Sequence, residues 1–348
     1  MNKRGLSAIV TTLLVILLVL VAVGIVWGVV RNVIVGGAEE ISLGKLTLNL
    51  EISNVQVGED GIDVVVTRNV GAGELKGINF AISDGVNTVA IKKPSTMVLG
   101  SETFSFTNEE FAEIAFVKEI TIVPVLETQS GREIFGGLTD VEELSNKKII
   151  ENLGGVSWWK LDGNAQDEIG GNHGTLGGGV QFIEDGVRGK VASFDGVDGS
   201  ISIGDLSASI AQNGPATIGG WFYFAQFAMD KGAQIQMHNQ LYQHLLNNHF
   251  YLGGEIGGQD ADFFGIGGSL SLNTWYHIVI VYYGTHETAK LYINGDEYPV
   301  TIQTADKNHA PLNLFRISNT NFPGLIDEVM IFDRVLSQSE IKGIYELD

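Results

Sequence analysis

The chain has 348 residues, enough for two or three domains of ordinary size, and it contains no cysteine, which excludes disulfides, thiolate catalysis and thiolate metal sites. The formal net charge is −20, and residues 139–348 carry −15 of it, so the sequence offers no basic surface for nucleic acid. With 45 glycines, 6 prolines and an apolar fraction of 44%, the composition favours many short strands joined by glycine turns.

The N-terminus has two cations, Lys3 and Arg4, directly before a long apolar run. No charged residue occurs between Leu6 and Val30, and as a helix this run would span about 37 Å, more than the roughly 30 Å of a hydrocarbon core. A secretory signal has a shorter apolar region of about 7 to 15 residues. The sequence therefore predicts a hydrophobic transmembrane or filament-core helix over residues 6–35, with the basic end cytoplasmic and the rest of the chain outside.

The junction NKRGLSAIVTT resembles the class III signal peptides of archaeal type IV pilins and archaellins. The resemblance implies a basic leader peptide over residues 1–5, cleavage between Gly5 and Leu6, and self-assembly of the freed helices into a filament, with membrane lipid as the partner of the precursor. Leu6 and Val10 stand where bacterial pilins have phenylalanine and, shortly after it, glutamate. An uncleaved membrane anchor is the alternative that stays open.

Residues 42–138 follow a glycine-containing stalk and alternate apolar with polar side chains. Leu46, Leu48 and Leu50 share one strand face, and similar runs recur between turn signals: GIDVVVT, INFAIS, TVAIKK, ETFSFT and KEITIVPVL. About seven short strands in this length predict a small β-sandwich, in the position of the pilin-like head domain. Its sequence contains no histidine and no catalytic constellation.

Residues 139–155 predict a short linker helix. Thr139 and Glu142 have the spacing of a capping box, and Gly154 and Gly155 would end the helix. This helix is the predicted boundary between two β domains.

The remaining residues, 156–348, carry five segments in a recognisable order: WWKLDGNAQDEIGGNHGTL, GKVASFDGVDGSISIG, ATIGGWFYF, NTWYHIVIVYYGTHETAKLYINGDEY and GLIDEVMIFDRVLSQSEI. They resemble a laminin-G-like domain of the concanavalin A superfamily, which implies a jelly-roll sandwich of two antiparallel sheets. Independently, Asn294 and Gly295 predict a hairpin turn, and Ser337 with Glu340 predicts a capped final helix. The predicted fold is mainly β, with one long N-terminal helix and two sandwiches.

Many members of this superfamily hold a structural Ca²⁺. In the resembled fold the early acidic loop and the late IDEV strand lie close together, which implies a calcium site formed by Asp167, Asn172 and Asp327, with Asp162 as a further ligand. Carboxylate and amide oxygens are the ligands that Ca²⁺ prefers, and an acidic surface attracts divalent cations.

Asp327 lies within an apolar strand, where alternation predicts that it shares a face with Leu325, Val329 and Ile331. A carboxylate in that setting is costly unless it is paired, hydrogen-bonded or bound to a cation. The alternative to a calcium ligand is a carboxylate that caps backbone amides.

The stretch 237–265 departs most from the family pattern, because histidines, tyrosines and side-chain amides are interleaved in it. We predict a ligand-binding surface from four of its residues: Tyr242, His244, Asn248 and Asp260. A histidine metal site and plain variable loops are the alternatives. Three tryptophans are expected to be buried in the core instead: Trp158, Trp221 and Trp275.

A glycosidase needs two carboxylates facing each other across a cleft. No glutamate pair of the superfamily type occurs between 156 and 335, and the nearest candidates, Asp260 and Asp262, are expected in a loop. The sequence therefore predicts a protein that binds without catalysis.

These observations together predict a cell-surface, pilin-like filament subunit that displays an adhesive, carbohydrate-binding domain to a glycan or a surface protein. Many weak heads on one filament would bind by avidity. A membrane-anchored lectin or receptor that does not polymerise is the alternative, followed by a polysaccharide-active ectoenzyme.

Overall fold

A computed structural model describes residues 48–347, apart from residues 59–60, 71–73, 128–130, 207–209, 211–213, 227–234, 238–240, 247–248, 257–258, 266–269, 284–288, 300, 303–314 and 319–321. The predicted leader, the cleavage position between Gly5 and Leu6, and the predicted helix over 6–35 lie outside the described residues. The helices found within the described ranges are too short to span a bilayer. The chain divides into two compact units, the first within 1–114 and 119–143 and the second within 115–118 and 144–348.

The first unit is a sandwich of two antiparallel sheets. Its described strands are β1 (Leu50–Gly58), β2 (Gly61–Arg68), β3 (Leu75–Ser83), β4 (Thr88–Pro94), β5 (Gly100–Thr107), β6 (Glu119–Glu127), β7 (Glu133–Phe135) and β8 (Asp140–Glu143). One sheet has the order β1-β2-β5, and the other has the order β4-β3-β6-β7 with β8 also paired to β6. Phe80 packs between Phe104 and Phe106 in the core. The centroid of its ring lies 5.0 Å from that of Phe104 and 4.9 Å from that of Phe106.

The linker helix differs from its prediction at its N-terminal end. Residues 140–143 pair with β6 as a strand, and the Thr139 hydroxyl donates to the Ile122 carbonyl at 3.1 Å. Helix α1 (Asn146–Asn152) begins later, and the Ser145 side chain caps it by accepting from the Lys148 amide. The predicted capping box from Thr139 is wrong because strand pairing takes up that segment.

The second unit consists of α1, two larger antiparallel sheets and helix α2 (Gln338–Tyr345). The sheet that we call the back sheet has the order β11 (Gln181–Asp185), β12 (Gly189–Asp195), β24 (Pro323–Phe332), β14 (Ala216–Phe224), β19 (Trp275–Tyr282), β20 (Ala289–Ile293) and β21 (Asp296–Tyr298), with β9 (Gly155–Trp159) also paired to β24. The front sheet has the order β10 (Thr175–Gly177), β13 (Ser200–Gly204), β23 (Phe315–Ile317), β15 (Ile235–Met237), β16 (Leu241–Leu246), β17 (His249–Ile256), β18 (Gln259–Gly265) and β22 (Thr301–Ile302).

The main core of the second unit lies between these sheets. The back sheet contributes alternate residues such as Ile218, Phe222 and Ile280, and β23 of the front sheet contributes Phe315 and Ile317. Antiparallel strands with one buried face account for the alternating sequence pattern.

Two local predictions for this unit are confirmed. Asn294 and Gly295 both have positive φ angles, 51° and 83°, in the turn between β20 and β21, as a two-residue hairpin of this type requires. Ser337 and Glu340 form the capping box of α2. Apolar residues of this helix pack on the outer face of the back sheet around a small cavity that His277 and Met330 also line.

Candidate functional site

The outer face of the front sheet can be traced from β23. Phe315 and Ile317 are buried in the core, while Arg316 between them is exposed, so Arg316 belongs to the outer face. Residues that pair directly across antiparallel strands share a face. Arg316 pairs with Gln236 of β15, and Gln236 pairs with Tyr242 of β16, which places Tyr242 at an outer-face position.

The same register continues across the next two strands. Tyr242 pairs with Gly253 of β17, and Gly253 pairs with Asp262 of β18. In the neighbouring rows, His244 pairs with Tyr251, and Glu255 pairs with Asp260. The outer-face positions of β16 to β18 therefore hold ten residues: Tyr242, His244, Leu246, His249, Tyr251, Gly253, Glu255, Asp260, Asp262 and Phe264. The alternate positions hold mostly apolar residues, Leu241, Leu245, Phe250, Leu252, Ile256 and Phe263, together with Gln243 and Gln259.

Three of the four residues predicted to bind ligand thus share one sheet face: Tyr242, His244 and Asp260. Asn248 lies in residues 247–248, outside the described residues. The expectation that Asp260 and Asp262 lie in a loop is wrong, because both belong to β18. Alternation of polar with apolar residues through 249–263 is the sequence signal for this strand arrangement.

Such a face has the chemistry for binding carbohydrate. Aromatic residues provide rings on which sugars stack, and carboxylate, imidazole and guanidinium groups hydrogen-bond hydroxyls. Neighbouring strands of a sheet lie about 5 Å apart, and the register assigns these residue types to one face together with Leu246 and Phe264.

The residues of the predicted calcium site are engaged otherwise. Asp167 is buried, and its carboxylate accepts four backbone N–H groups, those of Trp158, Ile169, Gly170 and Asn172, at 2.9 to 3.1 Å. Burial by itself would raise the pKa of Asp167, but these hydrogen bonds outweigh it and lower the pKa below its usual value. Asp167 is thus an anion whose hydrogen bonds with backbone amides hold its own loop in place.

The other predicted ligands also have protein partners. Asp162 is half-exposed and pairs with Lys160 at 3.0 Å, while the Asn172 side chain donates to the Ser157 hydroxyl at 2.8 Å. Asp327 is buried and accepts from Arg188 Nε at 2.8 Å.

Asp327 does not lie on the face that alternation predicts. Ile326, Val329 and Ile331 belong to the main core, so the strand changes phase between 326 and 329. The cause is a bulge at Glu328, whose φ of 50° is left-handed and whose carboxylate accepts from the Trp158 indole. The predicted shared face of Asp327 with Val329 and Ile331 is wrong, and Asp327 lies on the outer face of the back sheet.

This chemistry does not fit a calcium site. Both oxygens of Asp167 accept amide hydrogens, and Asp327 already faces a guanidinium, which would repel a divalent ion. Within the described ranges, no group of three or more histidine, aspartate or glutamate side chains is arranged to hold a metal ion.

Sequence reasoning missed a cluster around Arg188. The guanidinium lies over the Trp221 ring at 4.1 Å and 5.7 Å from the Trp275 ring, and the Trp275 indole donates to Asp185 at 3.2 Å. Trp158 is buried as predicted, but Trp221 and Trp275 are partly exposed on the outer face of the back sheet, so their assignment to the core is wrong. No sequence signal links Arg188 to Asp327, which are 139 residues apart.

His277 lies beside this cluster and is fully buried. Its ring packs against Trp221 and Tyr345, with centroids 5.3 and 5.9 Å away. Burial, reinforced by the nearby Arg188 charge, lowers the pKa of His277 to about 3, so the imidazole is neutral in the folded protein.

Residues 195–342 match a laminin G family model described as the concanavalin A-like lectin/glucanases superfamily. The C-terminal unit is therefore similar to a concanavalin A-like domain over these residues, and its two antiparallel sheets agree with this similarity. None of the curated proteins compared is significantly similar in sequence to the chain.

Several solved structures resemble part of the chain at low identity and with TM-scores below 0.5. Domain 4 of AbnA, a GH43 extracellular arabinanase from Geobacillus stearothermophilus solved with arabinotriose, is 19% identical, with 55% of this chain and 98% of that chain covered and a TM-score of 0.44. The botulinum neurotoxin serotype D binding domain is 16% identical, with coverages of 56% and 52% and a TM-score of 0.45. The binding domain of Paraclostridial Mosquitocidal Protein 1 is 17% identical, with coverages of 55% and 52% and a TM-score of 0.43. The match spans about half the length of the two toxin domains, and likenesses this low assign no function.

Proposed function

We propose that this protein is a cell-surface adhesin whose C-terminal domain binds carbohydrate through the outer face of the front sheet. The observation that carries the proposal is the register from Arg316 to Asp262, which gathers aromatic, imidazole and carboxylate residues on one face. The concanavalin A-like family match is consistent with it. The ligand is a glycan or a glycosylated surface protein.

The N-terminal sequence supports the second part of the proposal, which concerns display at the cell surface. The basic residues before the uncharged run Leu6–Val30 are consistent with membrane insertion, and the pilin-like junction at Gly5 and Leu6 is consistent with cleavage and polymerisation. Mass spectrometry of the mature chain distinguishes the two forms, since a processed subunit begins at Leu6 and an anchored protein retains Met1. Electron microscopy of expressing cells tests for filaments.

The binding claim is tested with the full chain in detergent, on a glycan array followed by isothermal titration with the best ligand. We expect Tyr242→Ala and Asp260→Asn each to weaken binding at least about tenfold, which corresponds to about 1.4 kcal/mol. Tyr283→Ala is the matched control, because Tyr283 is an exposed tyrosine that follows β19 of the back sheet. Absence of glycan binding, or equal binding by all three variants, would contradict the proposal.

A polysaccharide-active enzyme is the second candidate, and one observation favours it. Asp260 and Asp262 occupy successive outer-face positions of β18, and Glu255 pairs with Asp260. Positions two apart on a strand are separated by about 7 Å, within the range of inverting glycosidases. Release of reducing ends from bound glycans, lost in Asp262→Asn, would establish catalysis.

A further inference from the structure

The outer face of the back sheet carries a row of partly exposed residues, which we call the aromatic row and define by its members: Gln181, Ser193, Leu325, Tyr223 and Trp275. The register places them opposite one another on five neighbouring strands, β11, β12, β24, β14 and β19. None of the five is buried, whereas their neighbours in sequence Ala192, Phe222 and Ile326 belong to the main core. A row across five strands is about 19 Å long, because neighbouring strands lie about 4.8 Å apart.

The next row of the same face is covered by other side chains. Trp221 lies in it, two residues from Tyr223 on β14. The Arg188 guanidinium lies over the Trp221 ring at 4.1 Å, and the Tyr345 ring of α2 stacks on it at 5.5 Å. These two side chains therefore border the aromatic row on one side.

The two rings of the aromatic row are held in fixed orientations. The Trp275 indole donates to Asp185 at 3.2 Å, and Asp185 in turn accepts two backbone amides of the β11–β12 turn at 2.9 Å. The Tyr223 ring lies 5.6 Å from the Trp275 ring, and its hydroxyl donates to the Asn273 side chain at 3.3 Å. Side chains that are already ordered lose little conformational entropy when a ligand binds.

This arrangement has the chemistry of a carbohydrate site. A sugar ring presents C–H groups on its face, which pack against the electron-rich face of an aromatic ring. Its hydroxyls project from the edge and need amide or hydroxyl partners, which Gln181, Ser193 and the exposed Asn273 supply beside the rings. An apolar surface with a few polar groups placed around it is typical of small-molecule sites.

Other occupants fit this row less well. A row about 7 Å wide offers about 130 Å², far less than the roughly 800 Å² that each partner contributes to a stable protein interface. An extended peptide finds no edge here, since β12, β24 and β14 each have hydrogen-bonded neighbours on both sides. A second copy of the chain would be repelled, because residues 139–348 carry a net charge of −15.

We propose that the aromatic row is a second carbohydrate-binding site, in which a sugar ring stacks on Tyr223 and Trp275 and its hydroxyls bind Asn273 and Ser193. It goes beyond the front-sheet site and does not depend on it. The two sites lie on opposite faces of one sandwich, so a single domain can hold two glycan chains at once.

The test uses the full chain in detergent with the front-sheet site disabled by Tyr242→Ala and Asp260→Asn. This variant is applied to a printed array of neutral oligosaccharides, on which we expect it to retain binding. Adding Ser193→Arg, which places a bulky side chain in the middle of the aromatic row, should weaken that binding at least about tenfold. Ser339→Arg on α2 is the matched control, because Ser339 is exposed outside the row.

Labelling with 5-fluorotryptophan gives a readout at the site itself, since the chain has only five tryptophans. We expect the best glycan of the array to shift the fluorine signal of Trp275 and to leave that of the buried Trp158 unchanged. Tyr223→Ala, which removes one ring without adding bulk, should weaken this shift and the binding. Circular dichroism verifies the folding of each variant.

Two results overturn the inference: an array on which the front-disabled chain binds nothing, and binding that Ser193→Arg leaves unchanged. An unshifted Trp275 signal at saturating glycan overturns it as well. If only the unaltered chain binds the array, the front-sheet site stands and the second site fails. If front-disabled and unaltered chains bind equally, the second site stands and the front-sheet site fails.

Discussion

Arg188 and Asp327 form an ion pair that is almost removed from water, with side chains 10% and 3% exposed. The Trp221 ring covers the guanidinium and lowers the local dielectric. Breaking such a pair from one side is costly, because a buried charge is left uncompensated.

Arg188→Met should therefore destabilise the second unit by about 3 to 5 kcal/mol. The unfolding transition of this unit can be followed by tryptophan fluorescence, since Trp221 and Trp275 both lie near the guanidinium.

Asp327→Leu and the double variant complete the cycle. If the contact is an ion pair, the double variant is less destabilised than the sum of the two single variants. Additive effects would show that the two side chains stabilise the unit independently.

His277 makes the second unit sensitive to acid. The pKa of this imidazole is lowered to about 3 in the folded protein, whereas an exposed histidine titrates near 6.5. Between these values the unfolded chain binds a proton that the folded chain does not, so stability falls as the pH falls below about 6.5.

We expect the melting temperature to decrease from pH 7 to pH 4.5, and His277→Phe to remove most of this decrease. Carboxylates with lowered pKa values, such as Asp167 and Asp185, contribute mainly at lower pH. The His277 ring protons, followed by NMR in the unaltered protein, should not titrate above pH 4.5. Titration near 6.5 would contradict the burial.

Among the elements, β24 is the clearest case in which a sequence pattern predicts the wrong face for a side chain. Its apolar residues predict a strand correctly, but alternation assumes an unbroken pleat, and the left-handed residue Glu328 shifts the phase by one. The bulge occurs where β12 stops pairing with β24 and β9 begins to, a feature of sheet topology that no local pattern contains.

The loop between β9 and β10 is an element held by one carboxylate. The Asp167 carboxylate accepts hydrogen bonds from backbone amides between Trp158 and Asn172. A turn-rich, acidic sequence that serves this purpose resembles a cation-binding loop. Residue type alone cannot distinguish a carboxylate that binds amides from one that binds Ca²⁺.

We expect neither added Ca²⁺ nor a chelator to change the melting temperature of the protein. Asp167→Asn should destabilise it by about 1 to 3 kcal/mol, because an amide nitrogen would replace one acceptor oxygen. Asp162→Asn is the control, with a loss below about 1 kcal/mol, since its pair with Lys160 is exposed. A clear rise in melting temperature with Ca²⁺ would refute the expectation and restore the calcium site.

At the scale of the whole molecule, the strand positions and the second sandwich could be predicted from alternation, turn residues and family resemblance. Ser337 and Asn294 were predictable because their signals are local. The common face of Tyr242, His244 and Asp260 depends on pairing between strands, and the Arg188 pair depends on contacts across 139 residues. Long-range contacts of this kind leave no periodic trace in one sequence.

The position of β24 also has a consequence for biosynthesis. This strand follows all the other described strands in sequence, yet it lies inside the back sheet and pairs with β9, β12 and β14. The back sheet can therefore close only after β24 has been synthesised. Until then the apolar strands of the second unit have no complete sheet to join, so pairing of distant segments limits the rate at which this unit folds.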